Sequence, residues 1–386
     1  MTTKSQEALL PAGMMDVLPP NAEIESAAME KLMSVFGTRG YERVIPPLAE
    51  FEELLLSGSG EATKTRSFRV MDPISQRMLA LRADMTIQIE RIASTRLSDL
   101  PRPLRLSYAG PILRTSGSNL HPERQFYQVG AELIGSDSSK SDTEIILMAA
   151  HALLELGLNE ISVDLGLPSL ITSLLDEYNV KKLETRNIVR TACNQKDEAM
   201  LSSLHLPESR TFIDLMRCVG PADESIKKLK ALDLPKKAIK ELNYLIEVIT
   251  LMKDQGPELS MTIDPVEIRG YEYHSGLTYT FFSKNSRGEI GRGGRYLLSN
   301  KGDLSQTENG TGISLYLSKI VELLPSREKR KKVMAYSGIS HEIVAEYIRN
   351  GWIVISQLET GDDIKSEAQK LNCTHILRTD GIEDIS

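Results

Sequence analysis

The stretch YAGPILRTSGSNLHPERQFYQVGAELIG, residues 108–135, decides how the rest of the chain is read. It belongs to an extended run over 104–108 and 111–114, a small polar turn (Thr115-Ser116-Gly117-Ser118-Asn119), and a second extended run over 124–134. Successive side chains of a strand point to opposite faces, so Gln125, Tyr127 and Val129 share one face. Arg124, Phe126, Gln128, Gly130 and Glu132 share the other. Arg, Phe, Gln and Glu beside a glycine that clears space make a binding floor. The alternative at this spacing is a sheet with one solvated face.

The 386 residues are 41% hydrophobic and 26% charged, the composition of an ordinary soluble globular protein with room for two or three domains. No apolar run approaches the ~20 residues of a transmembrane helix. The N-terminal stretch MTTKSQEALLPAGMMDVLPP lacks the apolar core of a signal peptide. Three cysteines, Cys193, Cys218 and Cys373, are scattered without metal spacing, which suits a reducing cytoplasm. A net charge of −7 argues against a large phosphate-backbone footprint. The basic run REKRKK at 327–332 reads first as a solvated linker.

Upstream of the central stretch, residues 13–20 are rich in turn formers. After Asn21, a candidate N-cap, residues 22–36 carry Ile24, Ala28, Leu32, Val35 and Phe36 at helical spacing and stop at Gly37. A short strand over 41–45 ends at Pro46-Pro47. That arrangement suits either a dimer contact or a helix packed on its own sheet. A helix is expected over 48–56, a polar loop over 57–66, and a hairpin of 68–71 with 78–81. Asp84 and Thr86 stand before a helix over 87–94. They either cap it or present a carboxylate and a hydroxyl to a ligand ammonium group.

Downstream, a helix is expected over 141–156 and a strand over 161–165. From 168 to 255, periodic Leu and Ile segments separated by Asn, Gly and Pro read as an all-helical insertion. Strands return at 259–263, 278–283 and 288–296, and the apolar run 313–324 ends in a helix. The remainder alternates strands (333–336, 352–356, 374–377) with helices (341–350, 363–371), a small α/β module with parallel pairing. Gly291, Gly293 and Gly294 either admit a ligand close to the backbone or mark a bulge. His121, His151, His205, His341 and His375 are isolated, and no metal site is expected.

Three segments are more polar and glycine-rich than a fold requires: 82–86, 114–132, and Ile268-Arg269-Gly270-Tyr271-Glu272-Tyr273-His274-Ser275-Gly276. In that order, with Gly293-Gly294-Arg295-Tyr296 after them, they resemble the catalytic domain of class II histidyl-tRNA synthetases over residues 11–324. Residues 13–19 resemble that family's N-terminal motif, 41–47 its first class-defining motif, 114–132 its second and 269–276 its histidine-specific motif. The resemblance implies an α+β fold, a class II aminoacyl-tRNA synthetase-like antiparallel sheet flanked by helices. It also implies a catalytic-type domain over 1–326, with its helical insertion at 168–256. The small C-terminal α/β module, 327–386, resembles a truncated anticodon-binding domain.

A synthetase activates its amino acid with ATP, and guanidinium groups neutralise the transferring phosphate because they bind it bidentately. Where the family places a glutamate two positions after the leading arginine of its second motif, Arg114 is followed by Thr115 and Ser116. Another loop arginine of the family falls at Pro122. In the third motif the family's glutamate is Ser318, its ATP-contacting arginine is Lys319, and a glycine that opens the nucleotide site is Tyr316. The amino-acid side is kept. Asp84 and Thr86 match positions that hold the histidine ammonium, and Gln128 and Glu132 match those that meet ammonium and imidazole. Arg269 matches the arginine near the carboxylate, Tyr273 is one aromatic of the specificity pair, and His274 replaces the other. With Arg114 these form the candidate histidine-binding set.

Kept amino-acid contacts beside a degraded nucleotide site are similar to the regulatory subunits of ATP phosphoribosyltransferase, a family of synthetase paralogues. Residues 81–86 and 272–276 carry that likeness. It implies a cytoplasmic, non-catalytic chain, a homodimer within a hetero-oligomer formed with a short-form catalytic subunit in the first step of histidine biosynthesis. L-histidine is the implied effector, with no cofactor, no membrane and no tRNA partner. The alternative is a divergent histidyl-tRNA synthetase-like amino-acid ligase.

Overall fold

The computed structural model describes residues 10–56, 61–117, 122–268, 273–299, 307–325, 330–358 and 363–385. The chain begins with α1 (Asn21–Thr38), β1 (Glu42–Arg43), β2 (Ala49–Phe51), α2 (Glu52–Leu55), α3 (Glu61–Arg66), β3 (Arg69–Met71), β4 (Met78–Leu81) and α4 (Thr86–Thr95). Next come β5 (Leu104–Leu113), β6 (Gln125–Ile134), α5 (Ser139–Glu155) and β7 (Ile161–Gly166). A helical segment follows: α6 (Pro168–Glu177), α7 (Leu183–Gln195), α8 (Glu198–Ser203), α9 (Ser209–Met216), β8 (Gly220–Pro221), α10 (Ala222–Lys230) and α11 (Lys236–Gln255). Then β9 (Ser260–Asp264), β10 (His274–Ser283), β11 (Gly291–Ser299), β12 (Thr307–Tyr316) and α12 (Leu317–Leu323) complete a compact unit, Met1–Leu324.

Among the described residues, nine strands of this unit form one sheet in the order β1-β5-β6-β12-β11-β10-β7-β9-β8. β1 runs parallel to β5 and β7 to β9, and the other neighbours are antiparallel. A separate antiparallel sheet has the order β2-β4-β3. The α+β architecture is the one expected. The parallel neighbours β7 and β9 bracket the whole helical segment from α6 to α11.

β5 and β6 pair without interruption from Leu104↔Ile134 to Leu113↔Gln125, and their alternation divides two cores. Val129, Ala131 and Leu133 join Leu32 and Phe36 of α1, Ile145, Met148 and Leu153 of α5, and Phe281 of β10. On the opposite face Leu106, Tyr108, Ile112, Phe126 and Ile134 pack with Ile89 and Ala93 of α4. Full burial of such side chains contributes ~1.5–3 kcal/mol each. The solvated-face alternative is therefore excluded, since Gln128 and Glu132 are each only 1% exposed. α5 starts where the Ser138 side chain accepts the Lys140 N–H at 3.2 Å. It ends ahead of Gly157, whose φ of +95° suits a residue without Cβ.

Local expectations failed where partners decide the outcome. Residues 48–56 form the strand β2 and then the single turn α2, because Ala49, Glu50 and Phe51 find partners on β4, and pairing overrides helix propensity. Asn21 is the first helical residue of α1 rather than its cap; Pro20 takes that position with no side-chain bond, and the helix passes through Gly37 to Thr38.

The second compact unit is Pro325–Ser386. It contains β13 (Lys332–Ala335), α13 (His341–Arg349), β14 (Ile353–Ser356), α14 (Ile364–Lys370), β15 (His375–Arg378) and β16 (Gly381–Asp384), with sheet order β14-β13-β15-β16. β13 lies parallel to β14 and β15, as helical crossovers require. β16 adds an antiparallel strand that was not expected, because Gly381-Ile382-Glu383-Asp384 is exposed throughout and has no apolar alternation. Among the described residues no helix is long and apolar enough to cross a membrane.

Candidate functional site

The strand register assembles a polar floor on the α4 face of the large sheet. Gln128 lies between Gly110 and Tyr316, Gly130 between Tyr108 and Ser314, and Glu132 between Leu106 and Gly312. β11 sets Arg292 opposite Ser314 and Gly294 opposite Gly312. Directly opposed residues of antiparallel strands share a face, so these side chains converge.

Glu132 is the centre of the network. Tyr108 Oη donates to its Oε1 at 3.0 Å and Tyr296 Oη to its Oε2 at 2.8 Å. Gln128 Oε1 accepts the Met85 N–H at 2.9 Å, and its Nε2 donates to Ser314 Oγ at 2.6 Å and to Asp84 Oδ1 at 3.3 Å. The same Asp84 oxygen accepts the Thr86 N–H at 2.8 Å, and Thr86 Oγ1 lies 3.2 Å from Tyr108 Oη. Asp84 thus steadies the first turn of α4 while its carboxylate meets the floor.

Burial pushes the Glu132 carboxyl up to about 8; the charge of Glu90 adds to this, and the two tyrosine hydrogen bonds offset only part of it. Glu132 therefore holds its proton at neutral pH. Burial drives the His274 imidazole down to about 4, with the charge of Arg292 acting in the same sense. Its ring is neutral.

Two glycines make room for these groups. A Cβ on Gly312 would lie 1.6 Å from Glu132 Oε2, and one on Gly130 would lie 2.4 Å from the Tyr108 hydroxyl. Gly312→Ala is expected to drive the Glu132 carboxyl off Tyr296 and to destabilise the fold by roughly 2–3 kcal/mol, as read by urea denaturation. A crystal structure of the variant in which Glu132 keeps both tyrosine contacts would contradict this.

The structure brings Asp84, Thr86, Gln128, Glu132, Tyr273 and His274 to this one face. Tyr273 donates its hydroxyl to Glu90 and stacks on Tyr296, with centroids 5.3 Å apart and planes 23° from parallel. His274 stands edge-on to Tyr273 at 5.1 Å. Arg114 sits at the rim, donating to the Ala83 carbonyl at 3.2 Å with its guanidinium 5.0 Å from the centre of the Phe126 ring. Arg269, Ser118, Asn119 and His121 lie outside the described residues.

On the side where the likeness places a nucleotide, Tyr316 is buried and meets Phe126 edge-on, with centroids 5.9 Å apart at 87°. Lys319 Nζ lies 3.1 Å from Glu123 and 3.2 Å from Glu322. Aromatic rings fill the ground beside Gln128, and two carboxylates match the charge of the lysine. Among the described residues no cluster of His, Cys, Asp and Glu could hold a metal ion.

Sequence reasoning missed Tyr108, Ser314, Tyr296, Glu90 and Arg292 as members of the site. A signal existed for most of them. Alternation carried across the register selects Tyr108 and Ser314, and Arg292, Gly294 and Tyr296 share a strand face. Glu90 lies four residues after Thr86 on one helical face.

The family model described as histidyl-tRNA synthetase matches residues 13–320. An ATP phosphoribosyltransferase regulatory subunit of Paramagnetospirillum magneticum is 43% identical over 385 residues, covering 100% of both chains. That of Rhodospirillum centenum is 42% identical, covering 98% of this chain and 96% of the relative. A crystal structure of an ATP phosphoribosyltransferase regulatory subunit/histidyl-tRNA synthetase from Bacillus halodurans superposes with a TM-score of 0.83 at 22% identity, over 95% of this chain and 97% of that one. A histidyl-tRNA synthetase from Nostoc gives 0.77 at 18% identity, over 96% and 91%. These two solved structures share the fold.

Proposed function

Because the chain belongs to the ATP phosphoribosyltransferase regulatory subunit family, we propose that it is the non-catalytic partner of a short-form ATP phosphoribosyltransferase. In this reading it activates the first step of histidine biosynthesis and places that step under feedback by L-histidine. Asp84, Thr86, Arg114, Gln128, Glu132, Arg269, Tyr273 and His274 hold the effector. The chain works as a homodimer within a cytoplasmic hetero-oligomer, without tRNA, and its second unit serves as structure or partner contact.

One observation carries this reading: Tyr316 packed against Phe126 beside an intact network around Gln128 and Glu132. A triphosphate needs open space and uncommitted cations. Lys319 is committed to Glu123 and Glu322, and Tyr316 occupies the space. An amino acid needs a carboxylate for its ammonium group and a polar pocket for its side chain, and those groups converge here.

The test uses the purified chain with and without a short catalytic subunit. Alone, it gives no histidine-dependent exchange of pyrophosphate into ATP. Mixed, the two form phosphoribosyl-ATP, and L-histidine inhibits. Asp84→Ala and Glu132→Ala each weaken that inhibition by at least roughly tenfold, the equivalent of one good hydrogen bond, while the assembly elutes unchanged. Robust exchange by the chain alone would establish the amino-acid ligase in its place. Full histidine sensitivity in both variants would move the effector site to the partner.

A further inference from the structure

The second unit leaves one edge of its sheet without the devices that protect an edge. Among the described residues β14 has a neighbour, β13, on one side only. Edge strands avoid pairing with other chains through charged side chains, proline or bulges. The opposite edge, β16, carries Glu383 and Asp384. Trp352-Ile353-Val354-Ile355-Ser356-Gln357-Leu358 carries no charge and no proline. Its register with β13 runs unbroken from Lys332↔Ile353 to Ala335↔Ser356, and Leu358 is 89% exposed.

The hydrogen bonds to β13 show which backbone groups are left over. The N–H groups of Ile353 and Gln357 donate to the Lys331 and Ala335 carbonyls, each at 2.9 Å. Along a strand the N–H and C=O groups of successive residues point alternately to either side, so Val354 and Ser356 direct theirs outward. An antiparallel copy on a twofold axis at Ile355 sets Val354 opposite the copy's Ser356, and Ser356 opposite its Val354. Both are then hydrogen-bonded pairs, and every outward N–H and C=O of these residues is used. The same register sets the exposed Leu358 against the copy's Trp352 ring, on the face they share with Val354.

We propose that β14 is an interaction surface for a second copy of this chain, paired antiparallel with that copy's β14 so that the two small sheets become one. Charge favours a second copy in this orientation. Lys331, whose Nζ lies 5.3 Å from the centre of the Trp352 ring, gathers with Lys332 and Arg349 where β14 begins. Asp363 opens α14 beyond the end where β14 finishes. Antiparallel pairing carries the basic end of each edge toward the acidic end of the other, whereas parallel pairing would bring lysines together. The uncharged strand adds no repulsion of its own. This pairing is independent of what the larger unit binds and of any catalytic partner.

The experiment uses the full-length chain. Trp352 is the single tryptophan, so its emission reads this edge directly. It is expected to shift to the red on dilution, as the copy's Leu358 leaves the ring. Ser356→Pro removes an outward N–H that the unit's own sheet does not use. It should hold the emission at the red-shifted value at every concentration, with the circular dichroism unchanged, and Leu358→Lys should do the same. Ile355→Cys places a thiol on the axis and should give a disulfide-linked pair of chains under mild oxidation; combined with Ser356→Pro it should not. Emission that is identical in the parent chain and Ser356→Pro at every concentration overturns the pairing, and so does the absence of a linked pair. A shift that appears only when a catalytic subunit is added gives the edge to that subunit and overturns the pairing as well.

Discussion

Arg295→Met is expected to lower the unfolding free energy of the larger unit by roughly 3–5 kcal/mol, the cost of stranding a buried charge. Asp142 in the first turn of α5 is fully buried and accepts from Arg295 Nε at 3.1 Å and Nη2 at 2.9 Å, with the Tyr244 hydroxyl as a further donor. The guanidinium also donates to the Ser136 carbonyl at 2.7 Å and the Ser138 carbonyl at 3.0 Å. One side chain from β11 therefore fixes the turn that starts α5, and methionine would leave three groups wanting. Urea denaturation followed by far-ultraviolet circular dichroism reads the loss. The single tryptophan, Trp352, belongs to the second unit, so its fluorescence follows that unit separately and should not shift. Arg295→Met combined with Asp142→Leu should recover much of the loss, because both partners are then apolar. A cost below about 1 kcal/mol would show that the pair contributes no more than a surface bridge.

Glu132→Gln is expected to make the fold less sensitive to alkali. Below the usual glutamate value of 4.5, the folded and unfolded chains both keep the proton, and burial carries no ionisation cost. Between 4.5 and about 8 the unfolded chain gives up the proton while the folded chain holds it. Stability then falls by about 1.4 kcal/mol per pH unit. Above that range both states are ionised, and the loss levels off at roughly 3–5 kcal/mol. Glutamine keeps the size and an acceptor oxygen but cannot ionise. The urea midpoint of Glu132→Gln should therefore overtake that of the parent chain as pH rises from 5 to 9. The His274 contribution is common to both proteins and cancels. Parallel midpoint profiles would rule the effect out.

How much of this was legible in the chain differs from element to element. The faces of β6 followed from alternation, and placing Gln128 and Glu132 together needed no coordinates. The helix over 141–156 was visible because its apolar positions recur without a break. The strand β2 was not, since three residues become a strand only through a partner some thirty positions away on β4. The binding of Glu132 by Tyr108 and Tyr296 joins residues 24 and 164 positions from it. Only the order of strands in the sheet reveals that meeting. That no described residue partners His274 Nδ1 was likewise beyond reach, because it is defined by everything that fails to approach that atom.

The parallel neighbours β7 and β9 have a consequence for how such a chain can change over time. The polypeptide leaves β7 at Gly166, touches the sheet edge through β8, and enters β9, the strand beside β7, at Ser260, so the excursion is closed between strands about 4.8 Å apart. Closing a longer excursion between fixed ends costs only about 0.6 kcal/mol for each doubling of its length. The connections between the helices of this block can therefore lengthen at little entropic penalty, whereas α11 stays tied to α5 through the Tyr244 hydroxyl on Asp142. The register on which Gln128, Glu132 and Gly312 depend lies on the other side of β10.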